Sequence, residues 1–234
     1  MNKLSIAMFA TAITFSASSQ AATSLNTVTE RASYTLGVDL AKSFANQGVE
    51  VDTKALVAGM NDVINNAKLQ LTDQEMTLAV EEVKQQVKQK QLAAQKAAAE
   101  ANAAKGSKFL AENKNKKGVK VMPSGLQYIV ITEGEGEYAT EDDYLTAHYR
   151  GTLIDGTEFD SSFNRGAPIE FQMSNVIKGW SEALKKMKPG SKWKIFVPPA
   201  LGYGSHGAGQ KIGPNETLIF EIELLSTSKT APSR

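Results

Sequence analysis

From Asn66 to Lys105 the chain has neither glycine nor proline, and its residues are mostly Ala, Gln, Lys, Glu and Val. A stretch this rich in helix formers, with nothing to break the hydrogen-bond ladder, predicts one long helix. Thr72-Asp73-Gln74-Glu75 starts it as a capping box, Thr72 reaching forward and Glu75 reaching back. Continued to about Asn113, at ~1.5 Å per residue, the helix would run on the order of 60 Å. Met76, Val80, Val83 and Val87 make an apolar stripe over its first half, expected to pack on the helices that precede it. Beyond Leu92 the apolar positions are mostly alanine, which predicts a water-bathed spacer.

Two shorter helices are expected upstream. Tyr34, Val38, Ala41, Phe44 and Ala45 share one face, with Gly48 placed for a C-terminal cap. Asp52 opens the next, whose Leu56, Val57, Met60, Val63 and Ile64 form a stripe. Two such helices bury little core alone and need a partner.

The first residues have the pattern of an export leader: Lys3, an apolar run from Leu4 to Phe15, then Ser19-Gln20-Ala21 as a small-x-Ala cleavage site. The expected cut follows Ala21 or the next residue; the alternative is a retained anchor helix. No other segment approaches the ~18 apolar residues of a transmembrane helix. Removing the leader removes only Lys3 from 26 basic groups, leaving 25 against 25 acidic ones. A neutral chain carries no electrostatic footprint for nucleic acid. Without cysteine there are no disulfides, no lipoprotein anchor, and no thiol chemistry or thiolate metal site. The expected address is exported and periplasmic, with outer-membrane association or surface exposure left open.

Past Gly118 the periodicity changes from helical to alternating. Pro123-Ser124-Gly125 is a turn, Leu126–Ile131 a strand, and Gly134-Glu135-Gly136 another turn. Tyr144 to Leu153 is a strand closed by the hairpin signal Asp155-Gly156. Ile169, Phe171 and Met173 alternate, as do Trp193, Ile195 and Val197, and then Leu218, Phe220, Ile222 and Leu224. Between them Trp180, Ala183, Leu184 and Met187 have helical spacing, stopped by Pro189-Gly190. The order predicts an α+β domain, an antiparallel sheet wrapped around a short helix.

No conventional catalytic motif is present. The two histidines, His148 and His206, stand in unrelated contexts, where solvent or core hydrogen bonding accounts for them. No phosphate-binding glycine loop or G-x-S-x-G occurs. The region is instead rich in aromatics: Tyr149, Phe159, Phe171, Trp180, Trp193, Tyr203 and Phe220. Taken singly, each is better explained as core.

Their order carries more. His148-Tyr149-Arg150-Gly151, Asp155 through Ser162, and Val176-Ile177-Lys178-Gly179-Trp180 are followed by Pro198 through Gly204 and Thr217 through Leu225. This run resembles the FKBP-type peptidyl-prolyl isomerases over about the last half of the chain. Ser33-Tyr34, Leu36-Gly37, the long helix and Ile212 through Leu218 extend the resemblance to the exported macrophage infectivity potentiator group.

The resemblance implies a pocket with Trp180 as its floor and Tyr149, Phe171 and Phe220 as its aromatic wall. Phe159, Val176 and Ile177 would complete the apolar lining, with the Ile177 backbone N–H holding a substrate carbonyl. Asp160 and Tyr203 would supply polar contacts, which with Tyr149 form the expected catalytic set. Arg165 would pair with them, and Ile212 would sit on a flap loop. No metal or cofactor is implied. Ile169, Gly202 and Ala208 depart from residues common in small members, and the segment from Pro168 to Val176 is shorter. These affect the rim, and with it inhibitor affinity and sequence preference.

The expected divisions are a leader at 1–21, a helical dimerisation domain at 22–70, a connecting helix at 71–115 and an isomerase domain at 116–234. The implied partners are unfolded or proline-containing polypeptides, macrolide inhibitors of the rapamycin type, and a second copy joined through the N-terminal helices. Two other readings stay open: a homodimeric holdase chaperone in which isomerisation is secondary, and a catalytically inactive interaction module.

Overall fold

A computed structural model describes residues 24–230, so the leader expected at 1–21 lies outside the described residues. The chain divides after Val83 into two compact units.

The first holds α1 (Val28–Gln47), α2 (Thr53–Ile64) and the opening turns of α3 (Asp73–Asn113). Side-chain chemistry sets each start. Thr27 Oγ1 accepts from Glu30 N at 3.1 Å while the Glu30 carboxylate accepts from Thr27 N at 2.7 Å. Asp52 Oδ1 accepts from Lys54 N at 2.8 Å and Ala55 N at 3.0 Å. Thr72 and Glu75 exchange the same pair of bonds at the start of α3, at 2.8 and 3.3 Å. Gly48, at φ 71°, ends α1 in the left-handed conformation that glycine adopts without a Cβ penalty.

Packing does not follow from these starts. Neither α1 nor α2 has a buried residue, and Val57, Met60, Val63, Val80 and Val83 are exposed. Of the α3 stripe expected to pack on the preceding helices, Val80 and Val83 are left exposed, while Met76 and Val87 are half-buried. A stripe records that a helix has an apolar side, not which element covers it.

The second unit contains β1 (Lys120–Val121), β2 (Gln127–Thr132), β3 (Tyr144–Leu153), β4 (Glu158–Ser161), β5 (Ile169–Gln172), α4 (Lys178–Leu184), β6 (Lys192–Val197) and β7 (Leu218–Ser228). The antiparallel sheet runs β1-β2-β6-β7-β3-β4, with β5 beside the first half of β3. Alternation sets its buried face: Leu218, Phe220 and Ile222 of β7 meet Val197, Ile195 and Trp193 of β6 in register, and Leu224 meets Ala147 of β3. Trp180, Ala183 and Leu184 of α4, with Met187 just beyond it, are buried in the same core.

Residues 84–113 of α3 belong to this unit: 92–98 are exposed, as expected of a solvated spacer, and only the last turns correct that expectation. Phe109 packs its ring 5.9 Å from that of Phe196, an out-of-phase residue of β6 that is buried outside the main core. Asn113, 2% exposed, donates to Gln127 Oε1 at 3.0 Å, and Gln127 Nε2 donates to Leu110 O at 2.8 Å. Gly106 is buried against Thr217. A docking surface made of a glycine, asparagines and one phenylalanine leaves no apolar periodicity to read.

Candidate functional site

Four aromatic side chains converge on Trp180 or on each other from separate elements. Tyr149 comes from β3, Phe159 from β4, Phe171 from β5 and Phe220 from β7. Trp180 receives Tyr149 at 5.1 Å and 83°, Phe171 at 5.7 Å and 65°, and Phe220 at 5.3 Å and 87°. Phe159 meets Phe220 edge-on at 5.5 Å. Edge-to-face pairs set the positive rim of one ring against the negative face of another, so each fixes its neighbour's orientation. Trp180, 4% exposed, is thereby held rigid beneath a cleft of about 440 Å³.

That cleft is lined by Tyr149, Phe159, Asp160, Val176, Ile177, Trp180, Tyr203 and Phe220, together with Ile169, Ser174 and Asn175. Phe171 buttresses Trp180 and is not among the lining residues. Ile212 lies in an adjoining cleft of about 290 Å³ shared with Phe159, Asp160 and Tyr203. Ile177 precedes α4 in extended backbone, its carbonyl accepting from Trp180 N and Ser181 N at 3.0 and 3.1 Å. Ser174 and Asn175 escaped sequence reasoning because small polar residues on a short turn carry no distinguishing pattern.

One polar group borders this apolar space. Tyr149 Oη donates to Asp160, and Arg165 donates to the same carboxylate and, at 2.8 Å, to Tyr149 Oη. Burial tends to raise the Asp160 carboxyl, but the bonds from Tyr149 and Arg165 outweigh it and hold the group below the usual carboxylate range. Burial, then the bond to Asp160, pushes the Tyr149 phenol up; burial and the Asp160 charge do the same for Tyr203. At neutral pH the rim therefore has one fixed negative charge, one fixed positive charge and two protonated phenols. His148 stays out of it, stacking on Phe163 at 4.7 Å with Nδ1 3.0 Å from Ser162 Oγ. Among the described residues no cluster of His, Asp and Glu could hold a metal ion. An open, aromatic-floored cleft with a polar rim suits binding a compact apolar ring with an adjacent carbonyl.

Residues 135–225 match the family model described as FKBP-type peptidyl-prolyl cis-trans isomerase, and residues 29–130 match the domain amino terminal to it. The Outer membrane protein MIP of Legionella longbeachae is 47% identical over 210 residues, covering 90% of each chain.

The chain belongs to the FKBP-type peptidyl-prolyl cis–trans isomerases.

The peptidyl-prolyl cis-trans isomerase Mip of Coxiella burnetii is 41% identical over 98% of this chain and 100% of its own. The crystal structure of FkpA from Escherichia coli, 36% identical, superposes with a TM-score of 0.73 over 87% of this chain and 98% of that one. The α+β fold is thus that of an FKBP-like domain preceded by a helical region. This FKBP has no helix among its described residues long and apolar enough to cross a membrane.

Proposed function

We propose that the cleft over Trp180 takes the proline ring of an X–Pro segment and lowers the barrier to rotation about the preceding peptide bond. The observation that carries this reading is the buried indole held by three edge-on aromatic neighbours under an open cleft.

The peptide C–N bond resists rotation by ~18–20 kcal/mol because resonance gives it double-bond character. Water favours the planar amide, whose carbonyl oxygen carries extra negative charge. In the cleft that solvent is replaced by Tyr149, Phe159, Phe220 and Trp180, and the twisted amide, with resonance broken, gains relative to the planar one. Ile177 N–H, which has no acceptor among the described residues, is available to a neighbouring substrate carbonyl. Asp160, held by Arg165, keeps Tyr149 oriented at the wall, and Tyr203 closes the rim. No nucleophile, acid or base is needed, which accounts for the missing catalytic motifs. Uncatalysed X–Pro isomerisation takes tens of seconds or more, slow enough to limit folding, so such a site speeds maturation of proline-containing polypeptides.

The reading includes export to the periplasm behind the 1–21 leader, and a macrolide of the rapamycin type competing for the same cleft. Its test is a protease-free proline-isomerisation assay on the mature chain, with and without rapamycin. Accelerated, rapamycin-sensitive isomerisation is expected; no acceleration over the uncatalysed rate would overturn it.

A second reading rests on α2. Ala55, Leu56, Gly59, Met60, Val63 and Ile64 line an almost wholly apolar groove of about 550 Å³. Water contact there is costly at ~25 cal/mol per Å², which supports a second copy packing against the N-terminal helices. Two linked clefts would bind one unfolded client with an avidity gain of ~10²–10⁴-fold where both can engage. Suppressed aggregation of a proline-free client would support this chaperone role, and unimpeded aggregation would remove it.

A further inference from the structure

The end of α3 docks on a loop that reaches the edge of the cleft. Asn102 Nδ2 donates to Pro214 O at 3.0 Å, and Asn215 Nδ2 donates to Ala99 O at 3.3 Å. Helix and loop thus exchange amide bonds in both directions. One turn further along, Gly106 faces Thr217 so closely that a Cβ would collide with the threonine hydroxyl. Gly213 is close but less tight: a Cβ there would lie 3.2 Å from Asn102 Nδ2, a contact the amide could ease by a small shift. Lys105, beside Gly106, acts electrostatically on Glu216 of the loop and on Asp155 of the β3–β4 turn.

The same loop is tied to the site on its other side. Asn215 sits at φ 56°, a left-handed conformation unusual for a residue with a Cβ, and its N–H donates to Gly204 O at 2.8 Å. Gly204 follows Tyr203 on the rim. Ile212 and Ala208 exchange backbone bonds at 2.9 and 3.2 Å, closing a small hairpin that holds Ile212 with Phe159, Asp160 and Tyr203 in the adjoining cleft. Asn215 is therefore the joint: its side chain reads the helix and its backbone reads the rim.

We infer that residues 99–106 of α3 are a positioning element of the isomerase site, setting the 212–217 loop so that Ile212 meets the substrate residues flanking the proline. The inference rests on the isomerase reading above. A helix is stiff over several turns, whereas the backbone bonds of Ala208 to Ile212 and of Asn215 to Gly204 tie the loop only to its own neighbourhood, so the bonds to Ala99 and Asn102 are what reference it to the helix. Anchoring such a loop to the helix removes conformational freedom that a substrate would otherwise have to restrict on binding. The effect belongs in KM for substrates long enough to reach Ile212, not in the rotation step over Trp180.

The test uses the full mature chain. Asn102→Ala removes the bond to Pro214, and Asn215→Gly removes the bond to Ala99 while leaving φ 56° accessible. Each is expected to raise KM for an extended X–Pro peptide about three- to tenfold, the worth of one such bond, with kcat within about twofold. The Ile212 δ1 methyl resonance should move in both variants and stay in place in Lys96→Ala, an exposed helix position whose ammonium lies 4.0 Å from Glu100. Unchanged KM with an unmoved Ile212 resonance would overturn the inference, as would equal loss of kcat and kcat/KM. If the unaltered chain fails to isomerise proline, the isomerase reading fails, while the Ile212 resonance still tells whether helix and loop are coupled.

Discussion

Gly151 of β3 passes so close to Phe159 that a Cβ on it would lie 2.6 Å from the phenylalanine ring and 2.9 Å from Phe220. The glycine's missing side chain is what lets the two rings meet edge-on at the wall of the cleft. Gly151→Ala should push Phe159 into the cleft, costing about 1–3 kcal/mol in stability by overpacking and lowering kcat/KM. Thermal unfolding and the isomerisation assay together check this; a variant with unchanged activity would mean the wall tolerates displacement.

Trp180 separates floor from core less cleanly, since it serves both. Trp180→Ala should cost about 3–5 kcal/mol through the cavity it leaves, with three edge-to-face pairs lost at once. Urea unfolding measures the cost. Trp180→Phe is expected to stay folded with reduced isomerisation, which keeps loss of activity distinguishable from loss of fold.

Asp160 and Arg165 are each nearly half exposed, so removing them should spare the fold. Asp160→Ala leaves Tyr149 without its acceptor, and kcat/KM is expected to fall about tenfold. Tyr203→Phe should lower it less, because Tyr203 lies on the open rim. Circular dichroism should show both variants native. Full activity in either would remove the role assigned to it.

The pH dependence follows from the same groups. Asp160 titrates below the usual carboxylate range and both phenols above theirs. Between about pH 6 and 9 none of them changes state, so kcat/KM should be flat there. Because the folded carboxyl is depressed, the stabilisation it contributes is present above its unfolded pKa and is lost as pH falls through the folded value. Activity should decline on that acid limb, and Arg165→Ala should move the decline to higher pH; a bell centred near neutrality would contradict the assignment.

For the N-terminal unit, Val63→Glu places a charge in the apolar groove of α2. Light scattering should find the unaltered chain dimeric and the variant monomeric, with isomerisation of a short peptide unchanged. A monomeric unaltered chain at micromolar concentration would sink the dimer.

Much of the fold is legible in the sequence, because local physics leaves local marks. The caps at Asp52 and Thr72 and the left-handed Gly48 are read from neighbouring residues. The alternation of β6 and β7 gives the buried face directly. The pocket residues were found differently. Only their match, in order, to a family's motifs lifted them above core packing, since β3, β4, α4 and β7 lie far apart along the chain.

Trp180 and Trp193 show where sequence stops and tertiary structure begins. Both are 4% exposed, and both stand in correct phase on their elements. Trp193 stacks flat on Tyr128 at 4.5 Å and 8°, whereas Trp180 takes its neighbours edge-on beneath an open cleft. Periodicity determined that each ring faces inward. Trp193 also borders a cleft, but one lined by Lys120, Glu133, Lys185 and Lys186; that the space at Trp180 is walled by aromatics depends on what β3, β4 and β7 bring across the sheet, and on Gly151 leaving room. The same holds for α3: its long run without glycine or proline determined the helix, but Gly106, Asn102 and Asn113 acquire their purpose only against Thr217, Pro214 and Gln127. Those contacts join residues distant in sequence through polar groups and missing side chains, and neither leaves a periodic trace.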